Sequence, residues 1–143
     1  MKKHAKRLIL LVALIASGCA TPMPQGFQTL PAHWSTLEIR NDVPYERAWA
    51  STVELLALNF DLEVMSREDG YLRTAWSHTW NGIYLPQYRV RVIVIFPQDR
   101  RTIRVKSEAQ AFTEEFGWVT GTDERLAPSL KTELLGTIGR TLR

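Results

Sequence analysis

The sequence predicts an α+β protein of two layers, an antiparallel sheet of four to five strands with two helices packed on one face. Three observations point there. A helical apolar period runs through 44–59, alternation of apolar and polar residues runs through 87–96, and 143 residues with 45% hydrophobic content suit a single core.

The chain opens with a cationic stretch at 2–7 (KKHAKR) and an unbroken apolar run at 8–16 (LILLVALIA), the two parts of a secretory signal over residues 1–18. As a helix that run covers about 14 Å, short of the roughly 30 Å a permanent span must cross. Ala16-Ser17-Gly18-Cys19 resembles the bacterial lipobox, with Ala16 where Leu is commoner. The resemblance implies cleavage before Cys19 and lipidation of its sulfur, and several acyl chains anchor stably where one would exchange. Ala20 follows where Asp would imply inner-membrane retention, so the expected address is the periplasmic leaflet of the outer membrane. Cys19 is the only cysteine, which excludes an internal disulfide framework.

Residues 19–33, with three prolines after Cys19, read as an extended tether with a reach of roughly 40 Å, followed by one domain over 34–143. Residues 34–40 (WSTLEIR) alternate as an edge strand. Asp42 and Pro44 then start a helix over 44–59, as cap and first-turn proline. Its apolar side carries Tyr45, Ala48, Trp49, Thr52, Val53, Leu55, Leu56 and Phe60. Strands 61–66 and 71–77 follow, joined through Gly70 in a bulged hairpin that sets Leu62 and Val64 opposite Trp76 and Thr74. After a loop at 78–86, strand 87–96 points Tyr88, Val90, Val92, Val94 and Phe96 inward, and the turn at 97–100 returns the chain into 101–111. The expected register places Val94 against Ile103 and Val92 against Val105. Gly117 and Gly121 break the chain before a closing helix from Pro128 to Leu142, striped by Leu130, Leu134, Ile138 and Leu142 and weakened by Gly136 and Gly139.

The overall charge of +3 belongs to the leader. Once Lys2, Lys3, Lys6 and Arg7 are removed, 14 basic residues face the same 15 acidic ones, so charge balance argues for no polyanionic partner of the whole body. Nucleic acid is excluded by compartment. Past the leader the chain holds only His33 and His78, with no nucleophile elbow and no zinc-binding histidine pair, so neither an enzyme nor a metal or cofactor site is expected. Glu114-Glu115 and Asp123-Glu124 are the only candidates for a glycosidase acid and base, and adjacent acids near turns read as solvated surface.

Two clusters remain as candidate partner-binding sites. The sheet face turned from the helices collects Arg73, Arg89, Arg91, Arg104 and Lys106, and the expected register sets Arg91 directly opposite Lys106, a repulsion that an anionic partner would relieve; the alternative is a solvated face in which Glu63 and Glu108 offset the excess. The loop with Trp76, His78, Trp80, Tyr84 and Tyr88 is dense in aromatics; strand phase puts Trp76 and Tyr88 in the core and leaves Trp80 and Tyr84 for contact.

Val43-Pro44-Tyr45-Glu46-Arg47-Ala48-Trp49, then Leu55-Leu56 and the run from Phe60 to Leu72, resemble the repeated domain of the BamC (NlpB) lipoproteins. The likeness covers 36 to about 110 loosely and sharpens over 43–76. It implies a helix-grip-like α+β fold and an accessory part in outer-membrane protein assembly, although this chain has one such domain where that family has two. The expected function is a non-catalytic binding or scaffold module facing the periplasm, with an envelope protein or anionic envelope component as partner. The alternatives are a carrier of lipid or another hydrophobic ligand in a groove between helix and sheet, and a cell-wall hydrolase or its inhibitor.

Overall fold

The computed structural model describes residues 26–80, 82–137 and 139–140, so the leader, Cys19 and residues 20–25 lie outside the described residues. In chain order the elements are β1 (Phe27–Gln28), β2 (Ser35–Ile39), α1 (Tyr45–Ala57), β3 (Leu62–Ser66), β4 (Tyr71–Thr74), β5 (Thr79–Trp80), β6 (Ile83–Tyr84), β7 (Tyr88–Ile95), β8 (Thr102–Thr113), β9 (Gly117–Asp123), α2 (Leu126–Thr137) and β10 (Gly139–Arg140). The protein is the two-layer α+β fold expected, and its sheet is larger than expected. Among the described residues eight strands join in one antiparallel sheet, ordered β1-β9-β8-β7-β4-β3, with β2 on β8 and β10 on β2. The twelve-residue β8 organises it: β7 runs along one side, while β2 takes residues 102–105 and β9 takes 109–113 on the other.

Period-two alternation sends Val90, Val92 and Val94 of β7 and Ile103, Val105 and Ala109 of β8 inward, where all are buried. Helix α1 covers them with Ala48, Trp49, Thr52 and Leu56, and α2 with Leu126, Leu130 and Leu134, so both helices and the sheet share one core. Tyr45, Trp49 and Phe96 meet at ring distances of 5.3 to 6.2 Å within it.

Several local expectations are corrected. Pro44 is the residue before α1, with extended ψ, and its carbonyl accepts from the Arg47 and Ala48 amides; the Asp42 side chain makes no cap and lies 3.8 Å from Arg40 instead. The hairpin β3–β4 pairs Ser66 with Tyr71, Val64 with Arg73 and Leu62 with Thr74, a register shortened by a bulge at Glu63, so neither apolar residue faces Trp76. The loop at 78–86 contains the small hairpin β5–β6. In β7–β8 every partner is displaced by two residues from expectation: Val94 faces Val105 and Val92 faces Ser107. The four-residue turn does not close the hairpin tightly, because the Ile39 amide bonds the Arg101 carbonyl and Glu38 pairs with Thr102, which draws the start of β8 toward β2. An even displacement keeps each side chain on its face and changes only its neighbour.

The chain ends depart most. Residues 27–28, expected in the tether, pair with Thr122 and Asp123, and the glycine-containing stretch expected as a break is β9. Gly117 has φ +68 at the hairpin turn, and a Cβ at Gly121 would collide with the Gln28 carbonyl, so the second glycine is where the β1 backbone comes close. Helix α2 starts at Leu126, before Pro128, and Gly139 belongs to β10; Ile138 and Leu142 lie outside the described residues.

Candidate functional site

The side chains that β7 and β8 do not send inward form the outer face of the sheet. Arg89 and Arg91 alternate with buried valines on β7, and Arg104, Lys106, Glu108 and Gln110 alternate with buried residues on β8. Cross-strand pairing sets Arg89 against Gln110, with Nε donating to Oε1 at 2.8 Å. Arg91 faces Glu108, not Lys106 as the sequence reading expected, and both cations bind that carboxylate at 2.7 and 2.8 Å. Burial pushes the Glu108 carboxyl up, but hydrogen bonds from Lys106 and Arg91 outweigh it and hold the group below the usual carboxylate range. The repulsion argument for this pair therefore fails, and an ion triad stands in its place.

Tryptophans extend the triad in both directions. Arg91 lies 4.4 Å from the ring centre of Trp76, and Arg89 lies 5.0 Å from Trp76 and 4.2 Å from Trp118. At the other end Arg104 and Lys106 both stand 5.0 Å from Trp34. The result is one continuous band of alternating cations and indoles across the face. Trp76 belongs to this band and not to the core, because β4 ends at Thr74 and the two arginines of β7 cover its ring.

The band runs into an aromatic end. Trp118 contacts Phe112 at 5.6 Å and His78 at 5.9 Å, and His78 contacts Tyr84 at 6.1 Å. His78 Nδ1 sits 3.0 Å from the Tyr88 carbonyl and 3.3 Å from that of Leu85, an arrangement that calls for a proton on Nδ1 and leaves Nε2 as the open edge. Beside it, a recess of about 440 Å³ between the end of α1 and residues 75–79 is walled by Asn59, Asp61, Trp76, His78 and Tyr84.

No family model and no curated protein matches this chain. The geometry must carry the reading alone. Among the described residues no group of three or more His, Cys, Asp or Glu is placed to hold a metal, and no helix is long and apolar enough to cross a membrane.

Of the residues expected to bind a partner, Arg89, Arg91, Arg104 and Lys106 come together on the band. Arg73 lies on the same face but apart from it, paired with Glu63 at 2.9 Å. Tyr84 is 66% exposed at the aromatic end. The Trp80 side chain and Cys19 lie outside the described residues. Sequence reasoning missed Trp34 and Trp118, while Glu63 and Glu108 offset the basic residues as one of its two accounts of this face expected. Alternation through 34–40 could have found Trp34, two residues from outward Thr36; Trp118 was hidden because its strand was read as a break.

The acidic pair Asp123-Glu124, expected as solvated surface, is split. Asp123 is fully buried, accepting a short hydrogen bond from the Tyr88 hydroxyl and bound by Arg125 at 3.1 Å, while Glu124 is exposed. Burial first, then the hydrogen bond and negative charge of Asp123, raise the Tyr88 hydroxyl far above the usual phenolic range. This group fastens β7, β9 and the start of α2 together around a fully buried carboxylate.

Proposed function

We propose that this protein is a non-catalytic module of the bacterial envelope, anchored through lipidated Cys19 in the periplasmic leaflet of the outer membrane, that recognises an anionic partner with the outer face of its sheet. One observation carries the reading. The Arg89 and Arg104 guanidinium groups are held against indole rings, and neither has a carboxylate partner among the described residues. A stacked guanidinium keeps its N–H edge available while its rotamers are already restricted, so binding an anion costs it little entropy. The accessory part in outer-membrane protein assembly implied by the BamC-like residues is one form such recognition takes.

Surface recognition is also favoured over carriage of a hydrophobic ligand. The space between helices and sheet is occupied by buried side chains from Leu37 to Leu134, and the 440 Å³ recess opens at the rim among polar groups. The test is a photo-reactive residue in place of outward-facing Gln110, with fatty-acid labelling of the same cells. Label on the wild type, its loss in Cys19→Ala, and an envelope adduct at position 110 that disappears in Arg89→Glu/Arg104→Glu are expected. Label persisting without the cysteine, or no adduct at all, ends the proposal.

A further inference from the structure

We infer that the anionic partner is the phospholipid headgroup layer itself, and that the sheet lies outer face down on the bilayer to which the chain is tethered; this rests on the lipid-anchored reading above. The first support is length. Because β1 is captured on β9, seven residue steps separate Cys19 from Gly26, and they can span at most about 25 Å. That is shorter than the roughly 35 Å diameter of a domain of this size, so the β1 edge of the body is kept within about 25 Å of the anchor.

The second support is where the lead enters. Gly26 lies at the β1–β9 edge, its carbonyl accepting from the Glu124 amide. The chain then passes beside the outer face, where Thr29 to Ala32 and the outward Lys106, Glu108 and Thr120 wall a cleft of about 350 Å³. Residues 29–32, ten to thirteen positions after Cys19, thus lie on the side of the band.

The third support is chemistry. The mature chain is close to neutral, yet its charges are sorted. The outer face presents Arg73, Arg89, Arg91, Arg104 and Lys106 against Glu38, Glu63 and Glu108, while the helices present Glu46, Glu54 and Glu133 against Arg47 and Lys131. Tryptophan, tyrosine, arginine and lysine together are the residues that settle at a bilayer's polar boundary, and anionic headgroups attract the excess cations. Exposed Leu30 stands beside Lys106 in that cleft, and exposed Tyr84 meets His78 at the aromatic end of the band.

The full-length lipidated protein is reconstituted in vesicles of equimolar phosphatidylethanolamine and phosphatidylglycerol, or of phosphatidylcholine alone, each doped with a headgroup nitroxide that quenches tryptophan at short range. Quenching is expected in the anionic vesicles, to fall by about twofold or more in Arg89→Glu/Arg104→Glu and at raised salt, and to increase in Glu108→Gln, which adds one net positive charge. Near-ultraviolet circular dichroism checks that each variant is folded, and the salt series on the wild type stands if the double reversal is not. Quenching that is equal in both vesicle types and insensitive to salt overturns the inference. A protein adduct at position 110 with no lipid adduct overturns it too, while leaving the binding-module reading in place; an unlipidated Cys19 by intact mass removes both.

Discussion

Tyr88 and Asp123 show how far single positions could be read. Alternation through 87–96 put Tyr88 inside, where it is. Arg125 is a near neighbour of Asp123, but nothing local announces a buried acid, because Tyr88 comes from β7 and β1 covers β9 from the far end of the chain. Tyr88→Phe removes one of the donors, and the Arg125 backbone and side chain remain, so a loss of about 1–2 kcal/mol in urea unfolding is expected. The pH dependence has a fixed sign. The hydroxyl titrates higher in the folded state than in the unfolded chain, so its contribution is complete below the ordinary phenolic value near 10 and is lost as pH rises past it. The wild type should therefore weaken more steeply than Tyr88→Phe in alkaline buffer, and parallel curves would refute the coupling.

Secondary elements were legible where one period dominated and obscure where a glycine served two purposes. Helix α1 and strand β7 follow directly from apolar spacing, and their inward residues are those expected. Strand β9 was missed because Gly117 and Gly121 look like breaks, although Trp118, Thr120 and Thr122 alternate outward along it. The β7–β8 register was two residues out because the hairpin's start is decided by β2, a strand distant in sequence. The candidate site inherited that error: its arginines and the offsetting Glu108 were found, but the pairing of Arg91 with Glu108 and two of the indoles were not. Gly121 gives the sharpest test of an element. In Gly121→Val the side chain would occupy the place of the Gln28 carbonyl, so β1 should be displaced while the rest of the sheet persists. Hydrogen exchange at the backbone amides of β1 and its β9 partners should then accelerate, with those of β7 unchanged; a protected β1 in that variant would show that the close approach is not needed.

Because α1, α2 and the inward strands contribute to one cluster of buried side chains, the fold has no sub-core able to persist alone. Far-ultraviolet dichroism and the fluorescence of the five tryptophans should report coincident transitions in denaturant, and separated midpoints would reveal an independent layer.

Both ends of the described chain are stitched into the sheet by two-residue strands, Phe27 and Gln28 onto β9, and Gly139 and Arg140 onto β2. During synthesis Phe27 emerges early, yet its partner Asp123 belongs to the last strand but one. The opening segment must wait, unpaired, while nearly everything between is made. Loops this long close late, so β1 is expected to be the final strand to join and the first to leave. A protein built this way finishes folding at its beginning, and the stretch nearest the anchor is the latch.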